Sequence, residues 1–187
     1  MTDPVPLVGE PLALDLVNTR TAARDLLATV DELRAWLRLQ NGRVPEAAEQ
    51  ADALTGADLA AVHRIRAGTA RLLRHARQGT APDPADLETL HRAQRAAPAV
   101  TELAWDGERF RAARRRTGPP GDRLAAALAE AAAELLADPA VVRIRECAAE
   151  DCVLLFLPAH PRRRWCSPTG CGNRVRVARH YRRHRPG

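Results

Sequence analysis

The sequence predicts an α+β protein: a mostly helical N-terminal domain with a small β-hairpin, followed by a small C-terminal unit built around four cysteines. Three observations carry that expectation. Apolar residues recur at helical spacing through most of the chain before residue 140, one stretch near residue 105 switches to alternation around an Asp-Gly dipeptide, and every cysteine lies beyond residue 146. A chain of 187 residues can build one medium core and one appendage, so we divide it into residues 1–139 and 140–187. With aromatics at only 3%, the core must come from Ala, Leu and Val, and the first two favour helices.

Residues 9–20 open with a proline suited to a first helical turn, and Leu12, Leu16 and Thr19 then recur at helical spacing. From Asp31 to Gln40, the residues Leu33, Trp36, Leu37 and Gln40 share a helix face, with Asp31 as N-cap and Asn41-Gly42 as the stop. Residues 46–53 read as a short alanine-rich helix. Thr55 or Asp58 caps a longer helix in which Leu59, Val62, Ile65, Thr69, Leu72 and Leu73 keep the period until Gln78-Gly79. His63 and His75 on it are not at the i, i+4 spacing of a metal pair, and read as surface or partly packed. Asp83 to Ala97 forms a further helix closed by Pro98. Ala99 to Trp105 and Glu108 to Arg114 alternate on either side of Asp106-Gly107, which predicts a hairpin with a type I′ turn and outward-facing arginines. Asp122 then caps a last core helix running to Leu136.

The chemistry lies in the cysteines. Cys147 and Cys152 form one C-x4-C pair, Cys166 and Cys171 a second, with thirteen residues between. A short loop lets two sulfurs reach one ion, and the spacer lets the second pair fold back to complete a tetrahedral thiolate site. The rivals are two disulfides, a redox role or an iron-sulfur centre. Met1-Thr2-Asp3-Pro4 carries no secretory signature, so the thiols are expected to stay reduced in a cytoplasmic protein, and Zn2+ is the expected metal. His160, His180 and His184 are substitute ligands only if a cysteine fails. Four thiolates leave no position open for water, so the site is structural rather than catalytic. Apolar residues on both sides make the first pair a knuckle between two short strands, residues 141–146 and 153–157, and the chain from Asn173 to about His184 is helical.

Charge also divides the chain, at about residue 160. Residues 1–159 hold 20 Arg against 23 acids, net −3; residues 160–187 hold nine Arg and no acid, net +9; lysine is absent throughout. A polyanionic partner is expected for the tail alone. Arg176, Arg179 and Arg183 share a helix face, with Arg182 and Arg174 beside it, and Arg162, Arg163 and Arg164 lead into the second pair. Val175, Ala178 and Tyr181 form the stripe expected to pack on the knuckle. Asn173 and Arg174 suit adenine and guanine edges, although Arg174 could equally bond to a knuckle carbonyl.

Cys171-Gly172-Asn173-Arg174, with Arg163-Arg164-Trp165-Cys166-Ser167 before it and Arg179-His180-Tyr181-Arg182 after it, resembles the CGNR zinc finger, a treble-clef-like module of bacterial proteins regarded as transcription regulators. The phrase Leu14-Asp15-Leu16-Val17-Asn18-Thr19 and the later Trp36-Leu37 resemble the start of the ABATE domain, which commonly precedes that finger and is suggested to sense a signal. The resemblance implies a bacterial transcription regulator that binds double-stranded DNA, with a small-molecule effector; an RNA-binding or protein-interaction module is the alternative. One finger buries too little surface for tight specific binding, so a homodimer or further contacts are needed. Asp15, Asn18, Arg20 and Trp36 are the candidate effector-binding residues, with capping, inter-helix hydrogen bonding and core packing as their other reading. No cysteine nucleophile lies outside the four, no phosphate loop is present and no apolar run is long enough to span a bilayer, so neither an enzyme nor a membrane protein is expected.

Overall fold

A computed structural model describes residues 7–40, 42–44, 47–48 and 50–183, the side chains of Arg182 and Arg183 excepted. The expected α+β architecture is present: helices α1 (Leu12–Asn18), α2 (Val30–Leu39), α3 (Gly56–Gln78), α4 (Pro84–Ala96) and α5 (Pro120–Ala137), a hairpin β1–β2 (Ala99–Trp105, Phe110–Arg116), then a C-terminal ribbon β3–β4 (Arg145–Glu146, Leu155–Phe156) and helix α6 (Cys171–Arg183).

Local chemistry sets the helix ends. The Pro11 carbonyl accepts the first hydrogen bonds of α1, from the N–H groups of Leu14 and Asp15. Helix α2 starts two residues earlier than the Asp31 cap predicted: Thr29 Oγ1 accepts from the Glu32 N–H, and the Glu32 carboxylate accepts from the Thr29 N–H at 3.0 Å. In α3 the Asp58 carboxylate answers the Thr55 N–H at 2.8 Å, and Gly79 ends the helix in the left-handed region at φ 65°. Asp122 is not a cap either, because α5 begins at Pro120 and Asp122 sits within its first turn. Of the short helix expected over residues 46–53, Ala51–Ala53 form a single 3-10 turn, while residues 46 and 49, like Asn41, lie outside the described residues.

The core is the expected alanine and leucine interior. Leu14, Leu16, Leu73, Leu124 and Leu128 are fully buried where α1, α3 and α5 meet, and Leu37 and Trp36 of α2 close one side. Helices α3 and α5 approach so closely that a methyl group on Gly121 would run into the Asp58 carboxylate. Arg66, within this interior, makes a two-pronged contact with Asp25 and also donates to Thr19 Oγ1 at 2.9 Å. His63 bonds to the Leu27 carbonyl and His75 to Thr80 Oγ1.

The hairpin forms in the register Trp105↔Phe110 to Ala99↔Arg116 with Arg109, Arg111, Arg114 and Arg115 exposed, but the expected turn changes. Its turn is not type I′, which needs positive φ at both central residues: Gly107 has φ 100°, and among the described non-glycine residues only Asp151 has a positive φ. The Asp106 carboxylate instead accepts from the N–H groups of Glu108 and Arg109 and holds the loop. Nor does alternation bury one face, since Val100, Leu103, Trp105 and Phe110 are all more than half exposed. Only the base packs down, through ion pairs of Arg114 and Arg116 with Glu130 of α5.

After α5, a 3-10 turn over Pro139–Arg143 takes the first half of the strand expected over residues 141–146, which leaves β3 two residues long. Among the described residues no helix is long and apolar enough to cross a membrane.

Candidate metal centre and basic helix

The ribbon β3–β4 carries the first cysteine pair at its tip. The Cys147 N–H donates to the Leu154 carbonyl at 2.9 Å and the Cys152 N–H to the Ala149 carbonyl at 3.2 Å, while Asp151, at φ 63°, supplies the left-handed step that turns the chain back. The second pair frames a tight turn. Gly170 N–H donates to Ser167 Oγ, Gly172 N–H donates to the Ser167 carbonyl, and α6 begins at Cys171 itself. Gly172 is buried, and a methyl group on it would press on the Trp165 ring at 3.4 Å. Its role is space, since its φ is not positive.

The two pairs converge as expected. All four Sγ atoms lie within 4.8 Å of one another, with Cys152 to Cys166 at 3.9 Å and Cys166 to Cys171 at 3.6 Å. A disulfide would need about 2.05 Å. A metal bound by thiolates at about 2.3 Å in a tetrahedron sets the sulfurs about 3.8 Å apart, so the donor set fits such an ion. Among the described residues the cluster contains only these four ligands. His160 Nδ1 accepts from the Arg162 N–H instead, and His184 lies outside the described residues.

The electrostatics of the four thiols suits a cation at their centre. With protein groups alone, hydrogen bonding from Cys166 holds the Cys152 thiol down at about 5, while the same bond pushes Cys166 up and burial pushes Cys171 up to about 11. One thiolate forms easily and its neighbours resist. A divalent ion at the centre removes that conflict and lets all four ionise. Protein donors already point at the sulfurs: the Cys166 N–H reaches Cys147 Sγ at 3.4 Å, and the Arg174 guanidinium reaches Cys171 Sγ at 3.4 Å.

Glu10, not singled out in the sequence, joins this centre to the helical core together with Arg163 and Asn18, which were expected in other roles. Glu10, just before α1, accepts from the Leu157 N–H at 2.9 Å and from Arg163 at 2.6 Å. Arg163, expected on the nucleic-acid face, is therefore turned inward. Its guanidinium lies 4.5 Å over the Phe156 ring and donates to the carbonyls of Trp165 and Cys166 as well as to Glu10. Asn18 closes the junction. Its side-chain amide donates to the Leu155 carbonyl and accepts from the Leu155 N–H, both at 2.8 Å, so it mimics one rung of a β-ladder. No spacing rule marks such partners, which lie 137 to 153 residues apart.

The other expected nucleic-acid residues stay outside. Arg162, Arg164, Asn173, Arg174, Arg176 and Arg179 are exposed; Arg182 and Arg183 fall on α6, and their side chains lie outside the description. Arg164 lies over Trp165, and Arg176 bonds to the Pro168 carbonyl. The expected packing stripe is shorter than predicted: Val175 is half-buried, whereas Ala178 is exposed and Tyr181 is 72% exposed. Helix α6 is therefore held at its first turn and projects into solvent.

The candidate effector residues are dispersed. Asp15 is fully buried, accepts from Arg43 at 2.5 Å and from the Glu10 N–H, and is pushed up to about 6 by burial. Asn18 is the clamp just described, Trp36 is 2% exposed in the core, and Arg20 is exposed beside Asp25. None of the four lines the cavity of about 590 Å³ found between α1, α5 and the base of the hairpin.

Comparison with known families places two matches on this arrangement. Residues 10–139 match the ABATE family, described as a putative stress-induced transcription regulator, and residues 143–184 match the CGNR zinc finger. No curated protein matches the chain.

Proposed function

The chain belongs to the ABATE family and carries a CGNR zinc finger, and from that premise we propose that it regulates transcription by binding double-stranded DNA through α6. The observation that carries this reading is the exposed arginine surface of α6, in a tail without acidic residues, held at its first turn by four cysteines. Cys147, Cys152, Cys166 and Cys171 hold Zn2+, which supplies no reaction there but fixes the turn from which α6 projects. Arg176 and Arg179, with Arg182 and Arg183 on the same helix, contact phosphates; Asn173 faces the groove. Arg174 serves the thiolate of Cys171, and Arg163 braces the finger against Glu10. The helical unit senses an effector and transmits it through the junction at Glu10 and Asn18. Tight specific binding needs a second copy or added contacts.

Fluorescence anisotropy with labelled duplex DNA tests this. We expect wild type to bind at low salt and Arg176→Glu/Arg179→Glu to lose roughly 100-fold or more in affinity. Equal binding by both proteins removes the reading. RNA binding is the second reading, for which the exposed Tyr181 offers a single stacking surface. Competition by single-stranded RNA stronger than by duplex DNA would establish that alternative.

A further inference from the structure

The cavity of about 590 Å³ lies within the roughly 300–1,000 Å³ range of small-molecule sites. One wall is a face of α5, where Arg123, Ala127, Ala131 and Leu135 recur at helical spacing; Leu12 and Val44 stand among the facing residues, and Leu157 of the finger completes the lining. The lining is thus an apolar strip flanked by four arginines and by the carboxylates of Glu130, Glu134 and Asp138, Glu134 standing 4.0 Å from Arg114.

The charges are unequal in what they already hold. Arg43 is bonded to Asp15, Gln40 and the Glu10 carbonyl. Arg114 and Arg116 are paired with Glu130, and the Asp138 carboxylate accepts from the Ala140 N–H. Arg123 differs: its Nε is buried without a hydrogen-bond partner, and no ion pair to its guanidinium exists among the described residues. The Nε is closed to solvent, so an incoming anion would meet the Nη edge of this half-buried guanidinium, whose charge has no partner carboxylate among the described residues. Arg123 also sits in the first turn of α5, where the helix dipole adds positive potential.

We propose that this cavity binds an amphipathic monoanion, a carboxylate on an apolar body, with the carboxylate on Arg123 and the body along Ala127, Ala131 and Leu135. The inference deepens the sensing half of the proposed function and rests on it. Leu157 connects the two halves: its side chain lines the cavity, and its N–H is held by Glu10, which also grips Arg163 of the finger. A ligand filling the cavity presses on the same short segment that docks the finger.

Octanoate is the probe, with octanol and octylamine as neutral and cationic isosteres, titrated calorimetrically into the zinc-loaded full chain without nucleic acid. Octanoate is expected to bind, octanol and octylamine to bind at least about tenfold more weakly, and Arg123→Gln to weaken octanoate roughly 10- to 100-fold. Ala131→Phe keeps every charge, fills the cavity and is expected to abolish binding; far-ultraviolet circular dichroism checks the fold of both variants. No octanoate binding, equal binding of octanol, unchanged affinity in Arg123→Gln, or binding that survives Ala131→Phe each overturns the proposal. Because no DNA is present, such a failure leaves the DNA-binding reading standing, and loss of DNA binding would leave this one standing.

Discussion

At the scale of single residues, the four cysteines were legible because metal ligands obey short-range spacing, whereas Glu10 and the junction roles of Asn18 and Arg163 were not, because their partners lie far along the chain. Asn18→Ala would leave the buried N–H and carbonyl of Leu155 without their partners, at about 2–4 kcal/mol in total. Urea unfolding of the zinc-loaded protein should show that loss, and a change below about 0.5 kcal/mol would remove Asn18 from the junction. Asp15 makes a second prediction. Its carboxyl is raised from 3.8 to about 6 chiefly by burial, so the folded state binds its proton more tightly than the unfolded chain does. Stability is therefore fully present below about 3.8 and falls by on the order of 2–3 kcal/mol as the pH rises through 6. Asp25 has the opposite sign: hydrogen bonding from Arg66 holds it at about 2, and its contribution, present above 3.8, is lost only as the pH falls through 2. The stability difference between wild type and Asp15→Asn, followed by urea unfolding from pH 4 to pH 7, should drift by that amount against wild type as pH rises. A difference independent of pH contradicts the burial argument.

At the scale of elements, periodicity located every helix longer than ten residues, because apolar spacing and flanking Gly, Pro and Asp signals agree there. The α2 cap was misplaced because Thr29, two residues before Asp31, supplies the capping box with Glu32. The hairpin shows the limit of alternation as a guide: it identifies strands, but it cannot say whether anything covers them, and beyond its base this ribbon stands clear of α5. Helix α6 has 13 residues, carries like charges at i, i+3 spacing and packs only its first turn, so it depends on the centre that holds Cys171. Chelating the metal should melt α6 while α1, α3 and α5 persist. Circular dichroism would record a partial loss of helical signal that zinc restores. An unchanged spectrum would mean that α6 stands without the centre.

At the scale of the whole molecule, composition and charge already divided the chain into a near-neutral helical part and a cationic tail. They could not show how closely the parts are joined. Leu155 and Ile144 belong to the main core, while Phe156 and Leu154, their neighbours in chain and space, belong to the cysteine cluster. One two-stranded ribbon thus has a side in each core, and the finger is docked rather than tethered. The cavity that touches Leu157 lies at this junction, and its lining comes from segments far apart in sequence, which is why the candidate effector residues read from the sequence fall elsewhere. The central claim remains that the docked finger presents arginines to a phosphate backbone. The salt dependence of duplex binding tests it most directly. With about four phosphates contacted, log affinity should fall against log salt concentration with a slope near −3.6, and Arg176→Glu/Arg179→Glu should flatten that slope by about 2. A slope near zero, or the same slope in both proteins, would contradict the account.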